Sequence, residues 1–198
     1  MAFISNNLLT IRKAVAAGGV ISLAGGICIS VGGGIFGAVI FSVGLMAVVA
    51  MEMALFTGRV GYVTSKDICN LLLIWLINVL TAVLIGFLYS VCALGNDGVI
   101  YDLSARTSVW YVEFGQAIAC GALMYIAVEG YRRTKSLLIV IFAVTAFVAS
   151  GAEHCIADAF FLGAGRGFSF EYLLWLIVIS CGNALGSILL HRLSRSKE

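Results

Sequence analysis

Six apolar segments, each long enough to cross a lipid bilayer, dominate this sequence of 198 residues. Hydrophobic residues make up 62% of the chain and charged residues 11%, and the short gaps between the segments carry nearly all of the charge. A helix of about 20 apolar residues spans the hydrocarbon core of a membrane, so the pattern excludes an ordinary soluble domain. We therefore predict an all-α membrane protein in which residues 1–198 form a single transmembrane domain. The six transmembrane helices are predicted at about residues 14–31, 35–56, 68–94, 112–131, 136–162 and 172–190.

The distribution of Lys and Arg predicts the orientation of the chain. An even number of spans places both termini on one side, and that side collects ten of the twelve basic residues, whereas the other has only Arg106 and Arg166. Cytoplasmic loops carry the excess of Lys and Arg. Both termini are therefore predicted to be cytoplasmic, in a multi-pass protein of the cell inner (plasma) membrane.

The fifth apolar segment contains ionisable residues at a depth where they are costly. Ser150 and Gly151 are followed by Glu153, His154 and, one turn later, Asp158. Ionisable groups inside a membrane are rare and usually face a cavity or a pathway. Gly and Ser allow a helix to break where protein or water surrounds the freed backbone groups. This pattern is typical of a transport site, although an isolated histidine can equally be a hydrogen-bonded packing residue.

A second interruption lies in the second apolar segment. Glu52 and Thr57 interrupt the apolar run there, and Gly58 can end a helix, although Thr57 could also be the cap of a short terminal turn. The sequence Trp75-Leu76-Ile77 in the third segment recurs as Trp175-Leu176-Ile177 in the sixth. Because each half has three spans, the halves have opposite orientations. We predict an inverted 3+3 repeat whose second and fifth helices are broken, with half-helix ends and freed N–H groups directed at one point that suits a small anion.

Three stretches of the sequence resemble signatures of the formate/nitrite transporter family, which are pentameric anion channels that include hydrosulfide channels. They occur in order on the second, fifth and sixth segments: Phe41-Ser42-Val43-Gly44-Leu45 with Leu55-Phe56-Thr57-Gly58, Ala146 to Asp158, and Gly182-Asn183-Ala184-Leu185-Gly186. The resemblance extends from about Ala17 to Leu190. It implies an aquaporin-like protomer, a homopentamer, and a pore in each protomer for formate, nitrite or hydrosulfide.

The resemblance also implies roles for individual residues. His154 corresponds to the central pore histidine, and Thr57 faces it across the pore. The pore and its hydrophobic constrictions are further implied at Phe41, Leu45, Leu55, Phe56, Phe147 and Asn183. Three residues have supporting roles: Glu153 braces the broken backbone, Asp158 lies one turn from the histidine, and Arg106 attracts anions at the outer mouth.

Several positions depart from the pattern of the family. Ala54 replaces an acidic residue, Asp158 replaces an asparagine, and Ala122 replaces an asparagine that helps to attract anions. The chain is also shorter than is usual for the family. We predict that it lacks the N-terminal helix and the long loop between the first two spans.

The cargo of such a pore suggests a role for the histidine. A full charge that crosses an apolar slit faces a desolvation cost on the order of 20 kcal/mol at low dielectric, and protonation of a weak-acid anion removes that charge. Burial favours a neutral imidazole. We expect His154 to bond Thr57 through one ring nitrogen and to serve the substrate with the other, acting as a proton donor or relay. Small anions, protons and lipid are the expected partners, without nucleic acid, metal or cofactor.

Three other classes of protein share part of this pattern. An aquaporin-like pore for small neutral solutes also has six spans and two facing breaks, but it depends on Asn-Pro-Ala turns, and this chain contains no proline. An intramembrane metalloenzyme normally needs three protein ligands, often including more than one histidine, so we do not expect an enzyme. A structural scaffold would leave the two polar breaks unexplained.

Overall fold

The computed structural model describes residues 2–93, 110–165 and 169–194, and every regular element in these ranges is helical. The helices are α1 (Ala2–Ser30), α2 (Gly34–Ala50), α3 (Phe56–Arg59), α4 (Ile68–Ala93), α5 (Trp110–Thr134), α6 (Leu138–Ala149), α7 (Cys155–Ala164) and α8 (Phe170–Ser194). A 3-10 turn, Val60–Tyr62, follows α3 directly. The predicted all-α fold is confirmed.

Four of the described helices are long and apolar enough to cross a membrane, and they contain the segments Leu8–Ser30, Ile68–Cys92, Trp110–Thr134 and Phe170–Ser194. The other apolar helices are shorter because two spans are interrupted. The second span consists of α2 and α3, and the fifth consists of α6 and α7. Large hydrophobic side chains cover the outward surface, and Phe142 is 71% exposed there. Such a surface requires lipid or a neighbouring subunit to cover it.

The helix bounds differ most from the predicted spans in two places. The first helix begins at Ala2 and not near residue 14, since it continues past Arg12 and Lys13. Charged residues mark where a helix leaves the apolar layer, but they do not stop its backbone hydrogen bonds. The break in the second span covers residues 51–55, so Thr57 lies in the second position of α3 and not in the break itself. The other boundaries differ from the prediction by about four residues or fewer.

A buried asparagine on α4 fixes the start of α3. The Asn78 side-chain oxygen accepts a hydrogen bond from the Phe56 backbone N–H at 2.9 Å. Its side-chain amide donates to the carbonyl oxygens of Ala14 at 2.8 Å and Ala54 at 3.0 Å. One side chain therefore joins α1, α4 and the break between α2 and α3.

A second asparagine, on α8, makes the same three contacts in the other half of the chain. The Asn183 oxygen accepts from the Cys155 N–H at 2.9 Å, and its amide donates to the carbonyls of Ala117 at 2.9 Å and Glu153 at 2.8 Å. Phe56 and Cys155 are each the first residue of a short half-helix. The correspondence relates α1–α4 to α5–α8 and confirms the predicted repeat.

The Trp-Leu-Ile echo does not belong to this repeat. Trp75 lies three residues before Asn78, whereas Trp175 lies eight residues before Asn183. The position equivalent to Trp75 is Ser180, and the Trp75 indole N–H donates to the Ser180 hydroxyl at 2.8 Å. The two Trp-Leu-Ile stretches therefore match by chance in an apolar chain. The two asparagines define how the halves of the repeat align.

Glycines set the separation of the long helices. A Cβ atom added to Gly186 on α8 would collide with the Ile118 backbone of α5, and one added to Gly86 on α4 would collide with the Phe160 backbone of α7. Backbones can approach this closely only where no side chain intervenes. These contacts hold the helices that carry the asparagines against the rest of the bundle.

Candidate functional site

The two breaks share one backbone geometry. Glu52 has φ +51°, and the next residue, Met53, donates its N–H to the Val48 carbonyl at 2.9 Å. In the other half Gly151 has φ +71°, and the Ala152 N–H donates to the Phe147 carbonyl at 2.9 Å. A left-handed residue followed by a long backward hydrogen bond is a common way to end a helix. After each of these turns the backbone is extended for a few residues before the next half-helix starts.

His154 and Thr57 meet where the two half-helices begin. The His154 Nε2 atom lies 2.9 Å from the Thr57 hydroxyl oxygen. His154 is 2% exposed and Thr57 is 1% exposed. The predicted pairing of these side chains, 97 residues apart in sequence, is thus present in the structure. It joins the first break to the second.

The other ring nitrogen of the histidine caps α7. The Ala157 backbone N–H donates to His154 Nδ1 at 3.2 Å, and His154 has the extended backbone of an N-cap residue. An atom that accepts a hydrogen bond has no proton of its own, so in the neutral imidazole the proton lies on Nε2 and points to Thr57. The expectation that one nitrogen is left for substrate was wrong for this conformation, because both nitrogens have protein partners.

Two further freed N–H groups at the half-helix starts also have protein partners. The Phe56 N–H donates to Asn78 and the Cys155 N–H donates to Asn183. The Asp158 N–H donates to the His154 carbonyl at 2.9 Å. The Phe56 and Cys155 N–H groups were among those predicted to face an anion, but the fold uses these two to fix the breaks.

A cavity of about 590 Å³ reaches the histidine from one end of the molecule. We call it the glycine-end cavity, because Gly32, Gly33 and Gly34 line its mouth. Its deep wall contains His154, Phe41 and Phe147. The two phenyl rings meet edge to face with centroids 6.1 Å apart, and the Phe147 ring stacks on the imidazole at 5.6 Å.

A second cavity, of about 640 Å³, borders the first break and is lined by residues of both halves of the repeat. We call it the basic-end cavity, because its lining includes Arg59, Arg132 and Lys135. Leu55 also lines it. Leu55 and His154 are the N-cap residues of α3 and α7, so an apolar side chain occupies in one half the position that the imidazole occupies in the other.

The remaining residues implied by the family resemblance have different positions. Leu45 and Phe56 are buried and line neither of these two cavities. Asn183 is completely buried behind the second break, where it braces backbone groups.

The supporting residues are placed as follows. Glu153 is buried, and its carbonyl oxygen is one of the groups that Asn183 holds. Asp158 is buried in α7 and lines the glycine-end cavity. Arg106 lies outside the described residues.

Sequence reasoning missed two elements of this site. Asn78 braces the first break, and its signal was an amide side chain in the middle of the apolar third segment, since polar side chains inside a membrane usually bond across helices. The Ala157 N–H, which orients the imidazole, is a backbone group and leaves no sequence signal.

Comparison with known proteins gives the family. The model of the formate/nitrite transporter family matches residues 5–195. The formate channel FocA of Haemophilus influenzae is 29% identical over 65% of this chain, and this chain spans about half of its length (53%). A probable formate transporter of Methanothermobacter thermautotrophicus is 28% identical over 77% of this chain and 70% of its own. These relatives are a channel and a transporter and not enzymes, as predicted.

Solved structures support the fold. A channel described as an FNT family ion channel superposes with a TM-score of 0.83 over 96% of this chain and 90% of its own, at 21% identity. A pentameric formate channel with formate bound superposes with a TM-score of 0.75 over 96% of both chains, at 19% identity. The sequence signatures, the paired breaks and the match over nearly the whole sequence lead to one conclusion: this integral membrane protein belongs to the formate/nitrite transporter family.

Proposed function

We propose that this protein carries small monovalent anions of weak acids, of the formate, nitrite or hydrosulfide class, through a pore in each subunit. The observation that supports this most directly is the hydrogen bond of 2.9 Å between His154 and Thr57, at the junction of the two broken helices. On one side of the pair lies a cavity walled by Phe41 and Phe147, and on the other side Leu55 lines a second cavity. Formate comes first among the cargoes, because both relatives are named for it.

The apolar walls define the physical problem that the imidazole solves. Phe41, Phe147 and Leu55 are all less than 4% exposed, and contact with such groups removes the water that stabilises an anion. Leu45 and Phe56 belong to the same buried hydrophobic cluster as these three residues. An anion of a weak acid crosses most easily when a proton neutralises it at the narrowest point, where a fixed donor is available. His154 and Thr57 are the donors that lie there.

The hydrogen bonds of His154 suggest how a proton moves. In the resting state the Nε2 proton points to Thr57, whose own hydroxyl proton can then be donated to an anion. A proton taken up from the glycine-end cavity at Nδ1 would displace the hydrogen bond from the Ala157 N–H and replace it with a contact between two donors. The imidazolium would then pass its Nε2 proton to the anion through the Thr57 hydroxyl, which leaves a neutral imidazole with its proton on Nδ1. Uptake of a proton at Nε2 together with loss of the Nδ1 proton to water would restore the bond to Ala157. His154 acts in this scheme as a proton relay between substrate and water.

The proposed assembly is a homopentamer in the inner membrane with both termini in the cytoplasm. Exposed apolar residues cover the described helices on their outer faces, and one similar structure is a pentameric formate channel. Lys and Arg concentrate at the end that carries the termini, which favours the cytoplasm for that end.

Flux of formate into proteoliposomes at pH 5 to 8 tests the proposal. We expect wild-type uptake to exceed that of protein-free liposomes and to increase as the pH falls, and we expect nitrite and hydrosulfide to be carried as well. His154→Asn keeps a side-chain acceptor for the Ala157 N–H but cannot relay a proton, so its flux should lose the pH dependence. Unchanged flux and pH dependence in that variant would disprove the relay. Uptake of glycerol without uptake of formate would point instead to a pore for neutral solutes.

Thr57 gives a second test of the same pair. Thr57→Ser retains the hydroxyl and should retain most of the flux, whereas Thr57→Val has nearly the same shape and removes the hydroxyl. We expect Thr57→Val to lower formate flux by roughly tenfold, which corresponds to the ~1.4 kcal/mol typical of one lost hydrogen bond. Equal flux in the two variants would show that the hydroxyl does not contact the substrate.

A further inference from the structure

Two charged residues in the described chain have backbone conformations that usually require glycine. Glu52 has φ +51° and Lys135 has φ +58°, and they are the two non-glycine residues with positive φ in the described ranges. Each follows the end of a long helix, α2 for Glu52 and α5 for Lys135. Glycine is the usual residue at such a position, since a side chain makes the left-handed conformation unfavourable.

The repeat places a glycine at the equivalent of each position. Glu52 lies four residues before Phe56, and Gly151 lies four residues before Cys155. Lys135 lies 18 residues after Ala117, and Gly32 lies 18 residues after Ala14, the two alanines that the paired asparagines contact. Gly151 has φ +71° and Gly32 has φ +83°, so the backbone is left-handed at all four positions.

The charged pair and the glycine pair line different cavities. Gly32 and Gly151 line the glycine-end cavity, while Glu52 and Lys135 line the basic-end cavity. A conformation that glycine satisfies without strain at one end is therefore imposed on two charged residues at the other. Strained residues of this kind persist where their side chains have a role.

The side chains are positioned to act on ions in the basic-end cavity. The Lys135 ammonium lies 5.6 Å from the centroid of the Tyr131 ring, which holds the cation beside the lumen without neutralising it. Arg59 and Arg132 add positive charge to the lining, and Glu52 and Asp67 reduce it. Three cations and two carboxylates leave a formal net charge of +1 on the lining, so neutralising Lys135 removes this charge and neutralising Glu52 doubles it.

We propose that Lys135 and Glu52 determine how readily anions enter the pore from the basic end, because their charges set the local anion concentration in that cavity. This inference rests on the proposed anion transport. Lys135 attracts the anion to the cavity, and Glu52 limits the attraction so that the anion is not retained. The glycine-end cavity has no charged residue at the equivalent positions, so its mouth lacks this control.

Directional flux tests the proposal. The protein is reconstituted in one orientation, and the initial rate of formate transport is measured from each side at about 20 mM and at about 1 M salt. One unit charge about 10 Å from an anion in water changes its local concentration about twofold. We expect Lys135→Gln to lower entry from the basic end about twofold and Glu52→Gln to raise it about twofold at low salt. Both effects should disappear at ~1 M salt, where the screening length is about 3 Å.

Glycine variants separate charge from strain. Lys135→Gly and Glu52→Gly remove the same charges and also relax the backbone, so they should reproduce the flux changes of the glutamine variants and raise Tm by about 2 °C. Lys66→Gln is the matched control, because Lys66 is exposed at the same end of the molecule but does not line the cavity. It should leave both rates unchanged.

The outcomes distinguish this inference from the proposed function. If wild-type liposomes carry no formate, the proposed function fails and the inference fails with it. If wild-type protein carries formate but the Lys135 and Glu52 variants behave like Lys66→Gln, the inference alone is overturned. Flux changes of the same sign in Lys135→Gln and Glu52→Gln would also overturn it, because opposite charges must act in opposite directions.

Discussion

Replacing Asn183 with alanine tests whether one side chain holds the histidine-bearing break in place. The substitution removes three hydrogen bonds, to the Cys155 N–H and to the carbonyls of Ala117 and Glu153. Each such bond contributes about 0.6–1 kcal/mol inside a membrane protein, so the loss should be about 2–3 kcal/mol. Asn78 makes three equivalent bonds in the other half. Asn78→Ala should therefore lower the free energy of unfolding by about the same amount.

The measurement is the free energy of unfolding in detergent. It is obtained from the loss of the helical circular dichroism signal as a denaturing detergent is added. Asn70→Ala is the matched control, since Asn70 lies on α4 like Asn78 but is exposed, and we expect it to change stability by less than about 0.5 kcal/mol. The reasoning is refuted if either bracing variant is as stable as Asn70→Ala. It is also refuted if the two differ by more than about 1.5 kcal/mol, because the count of hydrogen bonds in the two halves is equal.

Two further predictions concern packing and titration. Gly186→Ala should lower the free energy of unfolding by about 1–3 kcal/mol, because its new methyl group collides with the backbone of α5. Gly115→Ala is the control and should be neutral or stabilising, because its methyl group points into open space. Equal stability of the two variants would contradict the packing argument. Burial and, next, the hydrogen bond to Glu129 raise the pKa of Tyr62 above its usual value near 10. The folded protein therefore keeps the phenol proton when the unfolded chain loses it, so the free energy of unfolding should fall as the pH rises above about 10. In Tyr62→Phe this free energy should fall less steeply over the same pH range. Parallel pH profiles of unfolding for the two proteins would show that this proton plays no part.

The sequence was most informative where the bilayer restricts the chain most strongly. Apolar length predicted the helices, because a backbone in lipid must satisfy its own hydrogen bonds. Interruption by Glu52 and by Ser150-Gly151 predicted which two spans are broken, since polar groups and helix-breaking residues are costly there unless a cavity or protein surrounds them. The pairing of His154 with Thr57 came from family resemblance, because no local pattern relates two residues so far apart.

The mechanism of the site was less predictable because it depends on backbone groups. Which ring nitrogen of His154 carries the proton is set by the Ala157 N–H, and that contact exists only after α7 has started. The repeat was predicted from the two interrupted spans together with a misleading echo. Its register was not predictable, since only contacts across helices distinguish Asn78 and Asn183 from other polar residues in apolar segments.

Composition and residue order alone thus determined a helical membrane protein with two broken spans, because the cost of burying unpaired polar groups in lipid acts on local stretches of chain. Tertiary structure decided which groups meet at the breaks, which nitrogen faces Thr57, and which cavity receives the charges of Glu52 and Lys135. Those outcomes depend on distances between helices that are remote in sequence, and such distances are fixed only when glycines and asparagines on different helices pack together.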